Sequence, residues 1–210
     1  MYYHADLLDI PQQRGMGLGF IDDIMYGVEG FTDKGNVHKL KQLLREAEEW
    51  RKKHGVQFET SKYILVHFTH NHNQATFVAI MIGNVTIEPS NEAKNLGVIF
   101  DKELRFKTHL QYIIKKGTKA AMALSSIAKN SWGAQYKYAR QLFKAIIAAR
   151  TDYAAVIWHR PKDGNKMATS TQASKIDKIQ RLTMKAITGC YKTTAMAAME
   201  IEMGLQPSWL

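Results

Sequence analysis

The chain has 210 residues, 45% of them hydrophobic, which is enough to build one large domain or two small ones around a real core. No run approaches the ~20 apolar residues that a membrane-spanning helix needs. The opening Met1-Tyr2-Tyr3-His4-Ala5-Asp6 lacks the regions of a secretory signal, so an intracellular protein is expected, nuclear or cytoplasmic and not secreted, with no membrane partner. A single cysteine, Cys190, excludes an internal disulfide and the common cysteine-based zinc sites, and reads as a packed thiol. The net charge of +10 is unevenly spread: residues 1–100 carry 10 Lys/Arg against 12 Asp/Glu, residues 101–210 carry 19 against 7. That asymmetry points to an acidic or cation-binding front and a polyanion-binding back.

In chain order, residues 6–10 read as the end of a helix broken by Pro11. Residues 15–19 and 24–28 read as short strands around Asp22 and Asp23. Residues 36–54 form the clearest helix, with Val37, Leu40, Leu43, Leu44, Ala47 and Trp50 at three- and four-residue steps, Asn36 as N-cap and Gly55 past its end. Residues 63–68 have the β-branched and aromatic content of a strand. Phe77 to Ile82 and Val85 to Ile87 flank Gly83-Asn84, a link of hairpin type, and residues 96–100 read as a further strand.

Beyond Asp101 helices take over. The expected apolar stripes are Leu110, Ile113, Ile114, Leu124 and Ile127 over 108–129, and Tyr138, Leu142, Ile146 and Tyr153 over 135–158. Over 172–188 the stripe is Ile176, Ile179, Leu182, Ala186 and Ile187. A short helix near 193–203 ends at Gly204, and residues 160–171 are the expected flexible link. The fold class is α+β over 1–105 and all-α over 106–210.

Two adjacent carboxylates inside an apolar run need an exit from it, because burying an unpaired carboxylate is very costly. A turn that carries Asp22 and Asp23 to the surface is that exit. Such a turn is either simply solvated or a place where a hard cation such as Mg2+ meets oxygen ligands, as in two-metal phosphoryl transfer. His67, His70 and His72 have a spacing that zinc could use, but without a cysteine or an obvious fourth ligand they read better as exposed histidines at a strand end.

Several stretches stand in one order. They are Phe20-Ile21-Asp22-Asp23; Trp50 to Gly55 with Phe58, then Ser61-Lys62-Tyr63 leading into Val66-His67-Phe68-Thr69; Lys94 to Asp101; and Arg150 to His159 followed by Met184 to Cys190. In this order they resemble the reverse transcriptase of non-LTR, LINE-like retrotransposons, most closely those of filamentous fungi. The resemblance covers nearly the whole chain. It implies an incomplete reverse-transcriptase palm of short antiparallel strands with one long helix over 1–105, and a basic thumb-like helical region over 106–210.

The resemblance also implies roles. Asp22 is the stronger metal ligand and Asp23 the supporting one, with Mg2+ as cofactor if the ancestral activity survives. Lys62 matches the lysine that meets the leaving pyrophosphate, a charge suited to stabilising a developing anion; read on its own it is an exposed strand-start lysine. Leu96, Gly97 and Val98 match the primer grip, or are an ordinary packed hairpin. Lys115, Lys116, Lys119, Lys137, Arg140, Lys144, Lys178, Arg181 and Lys185 form the expected phosphate-facing set of the thumb. The partners are then an RNA template and an RNA–DNA or DNA duplex.

The family's fingers, its first metal-binding Asp, its endonuclease and its ribonuclease H domain have no counterpart in these 210 residues, so a piece of a larger polyprotein with little activity alone is expected. Half of the palm sheet being absent, the strands around Asp22 are expected to expose an edge and an apolar face. The competing functions are a non-enzymatic nucleic-acid-binding module, a metal-dependent phosphohydrolase using Asp22 and Asp23, and an unselected transposon remnant.

Overall fold

The computed structural model describes residues 5–70, 78–83, 85–128, 132–159 and 170–205, as helices and short antiparallel strands. His72, Phe77, Asn84, Lys129, most of the expected link 160–171 and residues 206–210 lie outside the described residues. Chain contacts divide into two units: residues 1–95 with 100–104, and residues 96–99 with 105–210.

In the first unit, helix α1 (Ala5–Leu8) is followed by strands β1 (Met16–Phe20) and β2 (Asp23–Gly27), an antiparallel pair in the register Phe20↔Asp23, Leu18↔Met25 and Met16↔Gly27. Glycines set the face of this hairpin that packs. A Cβ on Gly19 would lie 2.7 Å from Leu8 Cδ2, and one on Gly17 would lie 2.4 Å from the Leu8 carbonyl oxygen. The opposite face leaves Met16, Leu18, Phe20 and Met25 exposed, as expected.

Helix α2 (Asp33–His54) is the spine of this unit. It starts earlier than its sequence suggests: Thr32, not Asn36, is the N-cap, its hydroxyl accepting from the Gly35 N–H at 3.2 Å. Asn36 instead donates its side-chain amide to the Gly30 carbonyl. The helix ends as expected at Gly55, whose φ of 66° suits a left-handed cap and whose N–H donates to the Arg51 carbonyl. One side of α2 buries Ala47 and Trp50 with Leu7, packed by Ile24, Tyr26 and Phe58. Its N-terminal half buries Val37 with Leu65 and Ile80. The Tyr26 hydroxyl donates to the Leu7 carbonyl at 2.6 Å, and burial pushes its pKa up to about 12.

Residues 63–68 are not a strand. They make a single bridge, Leu65 to Pro89, while the Thr69 N–H turns to the Lys102 carbonyl. A neighbouring proline has no N–H to extend a ladder. Strands β3 (Ile80–Ile82) and β4 (Val85–Ile87) form the expected hairpin across Gly83. Strand β5 (Glu92–Asn95), unforeseen because Glu-Ala-Lys-Asn has low strand propensity, pairs with β6 (Val98–Asp101). Leu96 and Gly97 are therefore the turn between two strands and not part of one.

The second unit is built on α3 (Lys107–Ile127) packed against α7 (Ser170–Thr188), which meet closely where Gly117 leaves space. A Cβ there would stand 3.1 Å from Ile179 Cδ1 and 3.3 Å from Thr151 Cγ2. Between them the chain forms α4 (Tyr136–Leu142), a π-helical segment (Phe143–Ala148), α5 (Ala149–Thr151) and α6 (Ala155–Trp158). The continuous helix expected over 135–158 is thus broken. It widens by one residue in the π segment and stops at Asp152, with Ala154 at a φ of 53° before α6.

The buried stripe there is Ala139, Phe143, Ile147 and Thr151, while Tyr138, Ile146 and Tyr153 are exposed. The expected stripe thus lies one position off, because small Ala139 and polar Thr151, which carry no apolar signal, face the core. Thr151 satisfies its hydroxyl on the Ile147 and Ala148 carbonyls. Ile127 and Leu182 are likewise exposed. Helix α8 (Met196–Met203), shorter than the 193–203 expected, inserts Met199 and Met203 into the main core and ends at Gly204. Among the described residues, no helix is long and apolar enough to cross a membrane.

Candidate functional site

The link between β1 and β2 is two residues long, Ile21 and Asp22, and Asp23 opens β2 opposite Phe20. Tight two-residue links need a positive φ at their first central position, normally supplied by glycine. Here Ile21 takes it, at 57°, with its side chain 80% exposed. A β-branched residue in the left-handed region is strained, at a cost of about 1–3 kcal/mol. Strain of this kind at an exposed acidic tip is the sort that recurs at functional sites.

Asp22 and Asp23 are both exposed. Lys62, at the end of a 3-10 turn (Thr60–Lys62), belongs to the same unit. Its ammonium pairs with Glu59 at 2.7 Å, and that pairing is the largest influence holding its pKa above the usual lysine value. The charges of Asp22 and Asp23 add to it in the same direction. Lysine and acidic turn therefore share one electrostatic neighbourhood. Glu59 itself was missed by sequence reasoning, although its place three residues before Lys62 is the spacing at which side chains on a helical turn meet.

The donor chemistry of the tip suits a hard divalent cation such as Mg2+. The number of donors does not: among the described residues no group of three His, Cys, Asp or Glu is placed to hold a metal ion. The described residues therefore do not complete a cation site by themselves. His67 uses its ring Nε2 on the Val78 carbonyl at 3.2 Å, and His70 is exposed.

Leu96, Gly97 and Val98 come from the β5–β6 turn, with Leu96 at a φ of 45° and Gly97 at 86°. Val98 is buried and Leu96 exposed. The turn is held by Tyr153, whose hydroxyl donates to the Leu96 carbonyl at 2.8 Å.

The basic set divides by what its members touch. Lys115, Lys116, Lys119, Lys137, Lys144 and Lys178 are exposed, with Lys116 lying over the Tyr112 ring at 4.5 Å. Lys115, Lys116 and Lys119 share α3, Lys137 is on α4, Lys144 is in the π segment and Lys178 is on α7. The other three are engaged with backbone: Arg140 with the Met203 carbonyl at the end of α8, Arg181 with the Thr194 carbonyl at 3.4 Å, and Lys185 with the Lys192 carbonyl at 3.0 Å. Arg140 in particular is pressed against Gly204, where a Cβ would meet its Nη2 at 2.7 Å.

With this arrangement in view, the chain is similar to polymerase polyproteins of non-LTR retrotransposons. It is 26% identical over 192 residues, 87% of this chain and 20% of the relative, to the probable RNA-directed DNA polymerase from transposon X-element of Drosophila melanogaster. It is 22% identical over 193 residues, 90% of this chain and 50% of the relative, to the retrovirus-related Pol polyprotein from type-1 retrotransposable element R1 3 of Nasonia vitripennis. A second such polyprotein from that organism, of element R1 4, is 26% identical over 128 residues, 61% of this chain and 31% of the relative. The chain spans half or less of the length of these curated relatives. No family model matches it, and no solved structure does.

Proposed function

We propose that the chain is the palm-and-thumb part of an RNA-directed DNA polymerase of a non-LTR retrotransposon, of the fungal type that its motifs resemble. In this reading Asp22 and Asp23 contribute two of the carboxylates for Mg2+, and Lys62 supplies positive charge where the leaving group departs. The turn 96–98 meets the primer strand, and the exposed lysines of α3, α4 and α7 face the phosphates of template–primer duplex. The observation that carries it is the Asp pair at the tip of a tight hairpin with the Lys62 ammonium in its field. Similarity to polymerase polyproteins over nearly nine-tenths of the chain supports it.

Among the described residues no third carboxylate is placed beside these two, and the expectation is that the chain does not extend a primer alone. Primer extension on RNA with Mg2+ tests that part: the expected result is no cDNA, and cDNA that Asp22→Ala abolishes would overturn it. Binding to an RNA–DNA duplex tests the rest. Affinity falling steeply with salt is expected from displaced counterions, and absence of binding at low salt would sink the polymerase reading. A non-enzymatic nucleic-acid-binding module is the second reading, favoured by the incomplete donor set. It requires that duplex binding respond to loss of lysines and that Mg2+ leave the Asp22 and Asp23 resonances unmoved.

A further inference from the structure

The turn at Leu96-Gly97 belongs to the helical unit and is held at two backbone points by side chains of that unit. At one, the Tyr153 hydroxyl donates to the Leu96 carbonyl at 2.8 Å. The Tyr153 ring also covers Gly97 so closely that a Cβ there would lie 3.2 Å from Cε1. At the other, the Ile99 N–H donates to Nδ1 of His109 at 3.3 Å. A third side chain joins the two anchors. The Trp158 indole N–H donates to the Tyr153 carbonyl at 2.9 Å, and its ring meets that of His109 edge-on, with centroids 5.8 Å apart. Trp158 and His109 are buried, at 4% and 1% exposure, whereas Tyr153 is 53% exposed.

Two consecutive positive φ angles are what a two-residue hairpin link asks for, but leucine adopts its own only at a cost. Tyr153 helps to hold it there. It stands at the solvent side of the anchor, backed by a buried tryptophan that fixes its own backbone. An exposed tyrosine whose side-chain hydroxyl reaches a turn carbonyl contributes little to a core. Its effect falls on the turn.

We infer that Tyr153 is a positioning residue that holds the Leu96–Gly97–Val98 turn in the one backbone geometry at which a nucleic-acid strand is met. This rests on the polymerase reading given above. Tyr153→Phe removes the hydrogen bond and keeps the ring over Gly97; Tyr153→Ala removes both. Tyr191→Phe, at a tyrosine 86% exposed, serves as control.

Two readouts on the full chain decide the matter. Amide hydrogen exchange at Gly97 and Val98 is expected to speed up about threefold to tenfold in Tyr153→Phe, the range that one net hydrogen bond supports, and further in Tyr153→Ala. The affinity for an RNA–DNA duplex with a recessed 3′ end is expected to weaken by a similar factor. The affinity for a blunt duplex and the midpoint of thermal unfolding should stay near those of Tyr191→Phe. Unchanged exchange in both Tyr153 variants overturns the positioning role. Faster exchange with unchanged recessed-end affinity overturns the link to nucleic acid. A wild-type chain that binds neither duplex sinks the polymerase reading itself, and this inference with it, whatever the exchange rates show.

Discussion

Glu59, and neither member of the acidic pair, is the carboxylate that holds Lys62: its Oε2 lies 2.7 Å from the ammonium nitrogen. Asp22 and Asp23 act on the same lysine through space only, in the same direction as Glu59 and less strongly. The hierarchy can be measured. In a titration of the isotopically labelled lysine side chain, Glu59→Gln should lower the Lys62 pKa most, and Asp22→Asn with Asp23→Asn should lower it by a smaller step. Equal pKa values in the wild type and the doubly substituted chain would place Lys62 outside the reach of the acidic turn.

The strained hairpin tip predicts an increase in stability on losing a side chain. Ile21 occupies a conformation that glycine adopts without steric penalty, and its own side chain is exposed. Ile21→Gly should therefore stabilise the chain by about 1 kcal/mol, the lower end of the cost of a left-handed non-glycine residue. Chemical denaturation reads this directly. A destabilised variant would mean that the isoleucine is held by contacts of its own.

His109 should make stability depend on pH. Burial holds its pKa below the ordinary value of 6.5, and its Nδ1 accepts from the Ile99 N–H, which requires the neutral ring. The folded value is the depressed one, so the contribution is whole above 6.5 and is lost as pH falls through that value towards the folded one. The urea midpoint of the wild type should drop on acidification from about pH 7.5 to about pH 5.5. In His109→Gln, which keeps an acceptor and cannot titrate, the dependence should flatten.

Arg140 and Lys119 should separate stability from nucleic-acid binding. The Arg140 guanidinium donates to the Met203 carbonyl at the end of α8, so Arg140→Ala should cost about 1–3 kcal/mol of stability, the worth of a charge-assisted hydrogen bond with its partner left bare. The salt slope of duplex binding should be unchanged. Lys119 is exposed on α3. Under the polymerase reading, Lys119→Ala should leave the unfolding midpoint alone and reduce the salt slope by about one. The opposite pattern would exchange the two roles.

The sequence is legible where side-chain chemistry and backbone agree. Gly55 announces the end of α2, Gly83 the β3–β4 turn, and two aspartates in an apolar run can only mark a bend. It misleads where the deciding factor is tertiary. Residues 63–68 have strand composition, but a ladder needs a partner with free N–H groups, and their neighbour is Pro89. Thr32 outranks Asn36 as the cap because Asn36 is taken by the Gly30 carbonyl. Ala154 and Phe106 adopt positive φ angles that nothing in their chemistry signals. The shift of the buried stripe to Ala139 and Thr151 is equally invisible to an apolar count. For the candidate site, Asp22, Asp23 and Lys62 stand out in the sequence, whereas the parts of Glu59, His109 and Tyr153 arise only in the folded chain.

The widened segment Phe143–Ala148 has a consequence for everything after it. A π turn carries one residue more than the helix around it, and each residue of a regular helix advances by roughly 100°. Excising a single alanine there would make the spiral regular as far as Thr151 and swing the aromatic at 153 about a quarter-turn or more away from the carbonyl it reaches. That one surplus residue is the phase setting for the tyrosine.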